Sequence, residues 1–318
     1  MKNKIQDQSL YREYLFFKAL KRPKTALKKV SRMTQHIFQD LKRTRSYDPA
    51  SSEIVNHREI CLIGFRRCGS HTFITWVMKQ SEISPRPKHL NDIQPGENPF
   101  RHQYEYFLDH YAQKHPGVTK QLRKESFGNL TKKSTLIYNY EDFSLKQIFQ
   151  PRFIQQREMY VGKSETCFDV LLLRDPYNLL ASRFKKGFRS VKAWHQNFAD
   201  MWIEFAKEYL GETQFLTNNK LCVSYNEWVT SRDYRQTIAE KLGLTFTDQG
   251  FDTVNTQAGG SSFDGLEYRD NPSQMKVFER WKHYEKDPIF CQILNNSEML
   301  ELSEKIFGHI PGTENFIR

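Results

Sequence analysis

The sequence predicts an α/β fold with a mainly parallel central sheet flanked by helices, on three observations. Four apolar runs, EICLIGF from Glu59, STLIYNYEDF from Ser134, CFDVLLLRDP from Cys167 and KLCVSYNEWV from Lys220, are continuous rather than alternating, as strands covered on both faces are. Between them lie segments with apolar residues at helical spacing, and strand alternating with helix implies parallel pairing, because parallel neighbours need a long crossover. The first run leads through a glycine-bearing turn, Gly64 to His71, into a segment whose Ile74, Val77 and Met78 share one helical face.

The chain begins with its most unbalanced segment. Residues 1–46 hold 13 Lys/Arg against 3 Asp/Glu, so nearly all of the formal charge of +11 sits there and the remainder is close to neutral. Over residues 24–43, Leu27, Val30, Met33, Ile37 and Leu41 recur at three- and four-residue intervals, with Lys28, Lys29, Arg32 and Lys42 mostly elsewhere around the helix. This is a basic amphipathic helix, which Pro23 divides from a second short helical stretch, YREYLFFKAL. Two readings stand: a hairpin packed on the core, or a segment lying in the interface of an anionic membrane.

No apolar run approaches the roughly 18 residues of a spanning helix, and the start lacks the apolar centre of a secretory signal. The expectation is a cytoplasmic chain, with peripheral membrane contact through residues 1–46 as the second reading. Cys61, Cys68, Cys167, Cys222 and Cys291 are scattered without metal-type or redox-type spacing, so reduced thiols and no metal are expected.

Residues 46–57 are polar and turn-forming and read as a linker, leaving 58–318 as a single α/β domain. Residues 84–132, rich in Pro, His, Asn and charge, read as an insertion carrying one helix near HQYEYFLDHYAQKH and facing a substrate. Further helices follow RDPYNLLASRF, span SVKAWHQNFADMWIEFAKEYLG, and span DYRQTIAEKLGL to a close at Gly243.

Two places along this chain suit phosphate. Gly64 and Gly69 stand five apart between a strand and a helix, a spacing that turns amides and a helix N-terminus toward an anion. A magnesium-dependent nucleotide triphosphatase would need Lys at 70 and Ser or Thr at 71; Ser70 and His71 occupy those places, which disfavours that chemistry. Arg66 and Arg67 precede the second glycine, and Ser70 and Thr72 bring hydroxyls to the helix start. About a hundred residues on, Arg174-Asp175-Pro176 ends a buried strand and Ser182 follows two turns into the next helix, so guanidinium and hydroxyl can converge on one phosphate.

Over about residues 58–290 these motifs resemble those of the sulfotransferases that use 3′-phosphoadenosine 5′-phosphosulfate (PAPS), with a P-loop-like architecture. That family carries a Lys/Arg-Ser-Gly-Thr/Ser-Thr loop between a strand and a helix, and Arg67-Cys68-Gly69-Ser70-His71 looks like it, with Cys68 and His71 departing from the pattern. The resemblance implies that Arg67 neutralises the departing bridging oxygen, with Arg66 as substitute. It implies that the amides of residues 69–72 (Gly69, Ser70, His71, Thr72) and the Ser70 hydroxyl hold the 5′-phosphate, and Arg174 and Ser182 the 3′-phosphate. Val223–Trp228 resembles the family segment whose tyrosine, here Tyr225, lies near adenine; Gly259–Phe263, with Ser261 and Ser262, and then Glu279-Arg280-Trp281 resemble the segments that close over the nucleotide. The family's adenine-stacking Trp is replaced by Thr at 72, with Phe73 and Trp76 nearby.

The family's base is a His or Glu just beyond the strand that precedes the Arg-Asp-Pro strand. Here that place holds Glu141, with Asp142 as runner-up and His71, His89 and His102 as outsiders; the competing reading of Glu141 is a cap on the helix SLKQIF. His71 has a further reading as an imidazolium beside the leaving phosphate. The implied activity is sulfuryl transfer to a hydroxyl or amine, a carbohydrate hydroxyl favoured for the aromatic, His- and Asn-rich insertion, with no metal and no nucleic acid. Two alternatives remain: a P-loop kinase-like phosphotransferase, or a non-enzymatic basic adaptor for membrane or nucleic acid.

Overall fold

The computed structural model describes residues 23–50, 52–82, 84–251, 263 and 275–316. They fall into two compact units, residues 1–50 and 51–318. In the first, α1 (Pro23–Ser46) carries the amphipathic pattern; the YREYLFFKAL stretch lies outside the described residues.

The second unit is built on a five-stranded, all-parallel sheet. Its strands are β1 (Ile54–Gly64), β2 (Lys88–Leu90), β3 (Lys133–Glu141), β4 (Lys163–Leu173) and β5 (Leu221–Ser224), in the order β2-β3-β1-β4-β5. The apolar runs of β1, β3 and β4 lie in the middle, and Ile63, Leu136 and Leu172 are fully buried because helices flank the sheet. Chain order runs outward from β1 in both directions, to β3 on one side and β4 on the other, which makes the carboxyl end of β1 a topological switch point. The loop after β1 therefore lies between the ends of β3 and β4: Gly64 pairs with Glu141, and a Cβ added to Gly64 would lie 3.2 Å from the Leu172 carbonyl.

Four elements depart from the sequence reading. The helix expected over SVKAWHQNFADMWIEFAKEYLG begins only at Phe198, where Asn197 caps it by accepting from the Asp200 amide. β1 begins at Ile54, inside the expected linker, because its polar residues are internally bonded: Asn56 Nδ2 donates to the Val161 carbonyl at 3.0 Å and Arg58 Nη2 to the Gly243 carbonyl at 2.6 Å. The insertion holds the edge strand β2 and two helices, α3 (Pro99–His110) and α4 (Pro116–Ser126), each opened by proline, whose missing N–H costs nothing at a helix start. β5 stops at Ser224, whose hydroxyl accepts from the Glu227 amide and caps a short helix over Tyr225–Thr230, so the expected strand residues YNEWV are helical.

Candidate active site

The turn after β1 is shaped by close packing. Gly69 has φ 103°, and a Cβ there would lie 2.2 Å from Cε2 of Tyr225, so only glycine lets the loop and that ring touch. Arg67 also has positive φ, 75°, an uncommon conformation for a non-glycine residue. Cys68 points inward: it is fully buried, its Sγ lies 3.2 Å from Ser70 Oγ, and burial pushes the thiol up to about 11. The expectation that Cys68 serves nucleotide binding is thus corrected, since its side chain packs beneath the loop.

The helix that follows, α2 (Ser70–Gln80), leaves the Gly69 and Ser70 amides with no main-chain acceptor among the described residues, the condition for holding an anion. The Thr72 amide is already bonded to the Gly69 carbonyl at 3.1 Å, so of the amides expected to face phosphate this one is committed. Phe73 and Trp76 are buried, and Trp76 Nε1 donates to Asp248 at 2.9 Å; neither offers an adenine platform.

Arg174 directly follows β4, and Asp175 caps the next helix (Pro176–Lys185) by accepting from the Asn178 amide at 2.8 Å. Ser182, on that helix, receives Arg174 Nη1 at 3.3 Å and Arg280 Nη1 at 3.1 Å on one hydroxyl oxygen. Arg280 comes from a 3₁₀ turn (Arg280–Tyr284), where its amide donates to Asn178 Oδ1 at 2.9 Å. Among the described residues no carboxylate pairs with Arg174, although it is 1% exposed, and its Nε is buried without a hydrogen-bond partner. Two desolvated guanidiniums meeting on a neutral hydroxyl form a site that an anion stabilises.

The two phosphate places adjoin. Arg174 Nη1 lies 3.5 Å from the Arg67 carbonyl, and its guanidinium stacks on the Tyr225 ring at 4.9 Å, the ring that touches Gly69. Burial lowers the Arg67 pKa, with Glu141 opposing this and Arg174 adding to it, so the Arg67 guanidinium is within electrostatic reach of both.

Glu141, the last residue of β3, is nearly buried, and among the described residues no hydrogen bond holds its carboxylate. Burial, then Asp92 and Asp142, push it up to about 7, against Lys192 and Arg66. The helix after it is capped by Ser144 in a capping box with Gln147, which removes capping as the role of Glu141. Asp142 is otherwise engaged: its Oδ1 accepts from the Arg66 amide at 3.0 Å and from buried Arg183 Nη1 at 2.6 Å. Arg66 itself turns to Asp92, at 2.9 Å, and Lys192 donates to the other Asp92 oxygen. Arg66, expected as a substitute for Arg67, is thus engaged by Asp92 in this structure.

Burial and then Arg67 lower the pKa of His71, which disfavours the imidazolium reading. His89, pushed down to about 4 by burial, lies 2.9 Å from Asn139 Oδ1, with the His71 ring 6.2 Å away. His102 stands 3.4 Å from Glu97. Ser261 and Ser262 lie outside the described residues. Asp92, Lys192 and Arg183 went unnoticed in the sequence, and Arg280 stood there only within a soft motif.

No family model matches the chain, and no curated protein matches it. Chains of solved structures do match. The sulfotransferase domain of the Synechococcus PCC 7002 olefin synthase is similar over 81% of this chain and 98% of its own, at 13% identity and TM-score 0.46. Retinol dehydratase is similar in two crystal structures, with androsterone and the inactive cofactor PAP (TM-score 0.37) and with retinol and PAP (TM-score 0.36). Each shares 12% identity and covers 78% of this chain and 81% of the other. What the site does is decided by its own residues.

Proposed function

We propose that the protein is a sulfotransferase that moves the sulfuryl group of PAPS to an acceptor hydroxyl. The observation that carries this is the meeting of Arg174 and Arg280 on Ser182, next to a glycine loop that ends in Arg67 and a helix start. The orphaned Arg174 Nε and the helix start at Gly69 and Ser70, whose amides have no main-chain acceptor among the described residues, suit a ligand with two separated phosphates.

PAPS bound there would supply an activated sulfuryl group on a phosphate leaving group. Arg174, Ser182 and Arg280 hold the 3′-phosphate, and the Gly69 and Ser70 amides with the Ser70 hydroxyl hold the 5′-phosphate. Tyr225 walls the site between them. Arg67 offsets the charge that gathers as the bridging bond breaks. Glu141, with a pKa of about 7, takes the acceptor proton. Among the described residues no cluster of His, Cys, Asp and Glu is arranged to hold a metal. For the acceptor we favour a carbohydrate, on the exposed Tyr106 and Tyr111 with His110 stacked 4.7 Å from Tyr106 along α3.

The test is a thermal-shift titration with PAP followed by a labelled-PAPS screen of saccharide, phenol and lipid acceptors. A rise in melting temperature with PAP that Arg174→Ala largely removes is expected, together with label transfer to a saccharide. Absence of any shift with PAP or PAPS would overturn the proposal.

A further inference from the structure

Helix α1 presents an exposed apolar face. Leu27, Val30, Met33, Ile37, Phe38 and Leu41 are each 53–70% exposed. At about 100° per residue they fall within an arc of about 140°, running about 21 Å along the axis at 1.5 Å per residue. Six large apolar side chains in one strip are more than the scattered exposed hydrophobics of an ordinary surface. The complementary arc carries Lys28, Lys29, Arg32, Lys42 and Arg43, and Asp40 is the only acid in the helix. It is this polar arc that is partly covered: His36 is buried and Arg32 and Arg43 are half-buried.

We propose that α1 is a docking helix for an anionic lipid surface, entering the headgroup layer by the strip from Leu27 to Leu41 while exposed lysines such as Lys28 and Lys42 meet the lipid charges. Charge complementarity selects this occupant. A second copy of the chain would bring together two segments that each carry 13 basic and 3 acidic residues, which repel. A nucleic acid would engage the cations and leave the apolar strip in water, since phosphate contacts give it no use for that surface. A bilayer interface satisfies both arcs at once: methylenes and Phe38 sink to the acyl boundary, and long basic side chains reach back to the headgroups. Among the described residues no helix is long and apolar enough to cross a membrane, so the contact is parallel to the surface.

The experiment uses the full chain, with vesicles of phosphatidylcholine alone and of phosphatidylcholine with one-third phosphatidylserine, in a flotation assay. The expected result is binding at least about tenfold stronger to the anionic vesicles at 0.1 M salt and largely lost at 1 M, where the Debye length falls from about 10 Å to about 3 Å. Val30→Asn, Ile37→Asn and Leu41→Asn combined, all at exposed positions, are expected to weaken this binding at least about tenfold with the melting temperature and the PAP response unchanged. Failure to prefer anionic vesicles would overturn the proposal. So would full vesicle binding by the triple variant, which would mean charge adsorption only, or a dimer in light scattering that the triple variant abolishes, which would assign the strip to a second copy. Capture of an acidic protein that the triple variant releases, without vesicle binding, would likewise overturn it.

Discussion

Arg174 and Arg280 donate to the same oxygen, Ser182 Oγ, at 3.3 and 3.1 Å, in a buried setting where no carboxylate pairs with Arg174 among the described residues. An anion bound there would neutralise the buried Arg174 guanidinium, so binding and stability are linked. Arg174→Met is expected to weaken PAP binding about 10–100-fold, the range for losing charge-assisted bonds of about 1.5–3 kcal/mol. Its ligand-free stability is expected to change little, because relief of repulsion offsets the lost bonds to Val277 and Ser182. Calorimetric titration and thermal melts of the same variant check both halves; a large loss of ligand-free stability would mean that the arginine is structural.

The pH dependence follows from Glu141. As a base it works ionised, so turnover is expected to rise about tenfold per pH unit below about 7 and level off above it. Glu141→Gln is expected to lose about 10²–10⁴ in rate and this slope. Stability runs the other way: a folded pKa raised from 4.5 to about 7 favours the folded state below about 4.5, and this contribution is lost as pH rises through about 7. The loss is on the order of 3 kcal/mol, so Glu141→Gln is expected to melt above the wild type at pH 8 and close to it at pH 4. Equal melting at pH 8 would show that the carboxyl is ordinary.

Much of the fold was legible because four strands are apolar enough to announce burial, and the residues at their ends, Arg67, Glu141, Arg174 and Tyr225, gather because parallel strands deliver their carboxyl ends to one edge. The start of β1 was not, since Asn56 and Arg58 look solvent-facing until their partners, over a hundred residues away, are known. Asp92 comes from a segment without periodicity and Lys192 from one read as helix that is not helical before Phe198, and only tertiary packing brings them to Arg66 and Glu141. The partners of Arg66 and Cys68 were not legible either: Asp92 lies 26 residues from Arg66, and the Cys68 thiol turns to Ser70 in a buried turn whose positive φ at Arg67 and Gly69 residue type alone does not reveal.

Gly69 tests the loop itself. A methyl there would overlap the Tyr225 ring and hold a non-glycine residue at φ 103°, so Gly69→Ala is expected to cost about 3 kcal/mol of stability and to weaken PAP binding. Adding Tyr225→Ala removes the clash but not the backbone strain. The double variant is therefore expected to recover part of the loss relative to the sum of the single changes, a coupling that denaturant melts of all four proteins measure.

Asp142 and Glu141 are adjacent carboxylates with opposite assignments, and one pair of variants separates them. Asp142 meets Arg183 at 2.6 Å with both side chains 1% exposed, and the same oxygen receives the Arg66 amide at 3.0 Å. Removing one partner leaves the other charge buried, so Asp142→Ala is expected to cost about 3–5 kcal/mol. Glu141→Gln keeps the shape of a group that no hydrogen bond holds, and is expected to leave the fold intact while removing turnover. Denaturant melts beside the labelled-PAPS assay distinguish the two. Should Asp142→Ala fold as well as the wild type and lose only activity, the roles of the two carboxylates would have to be exchanged.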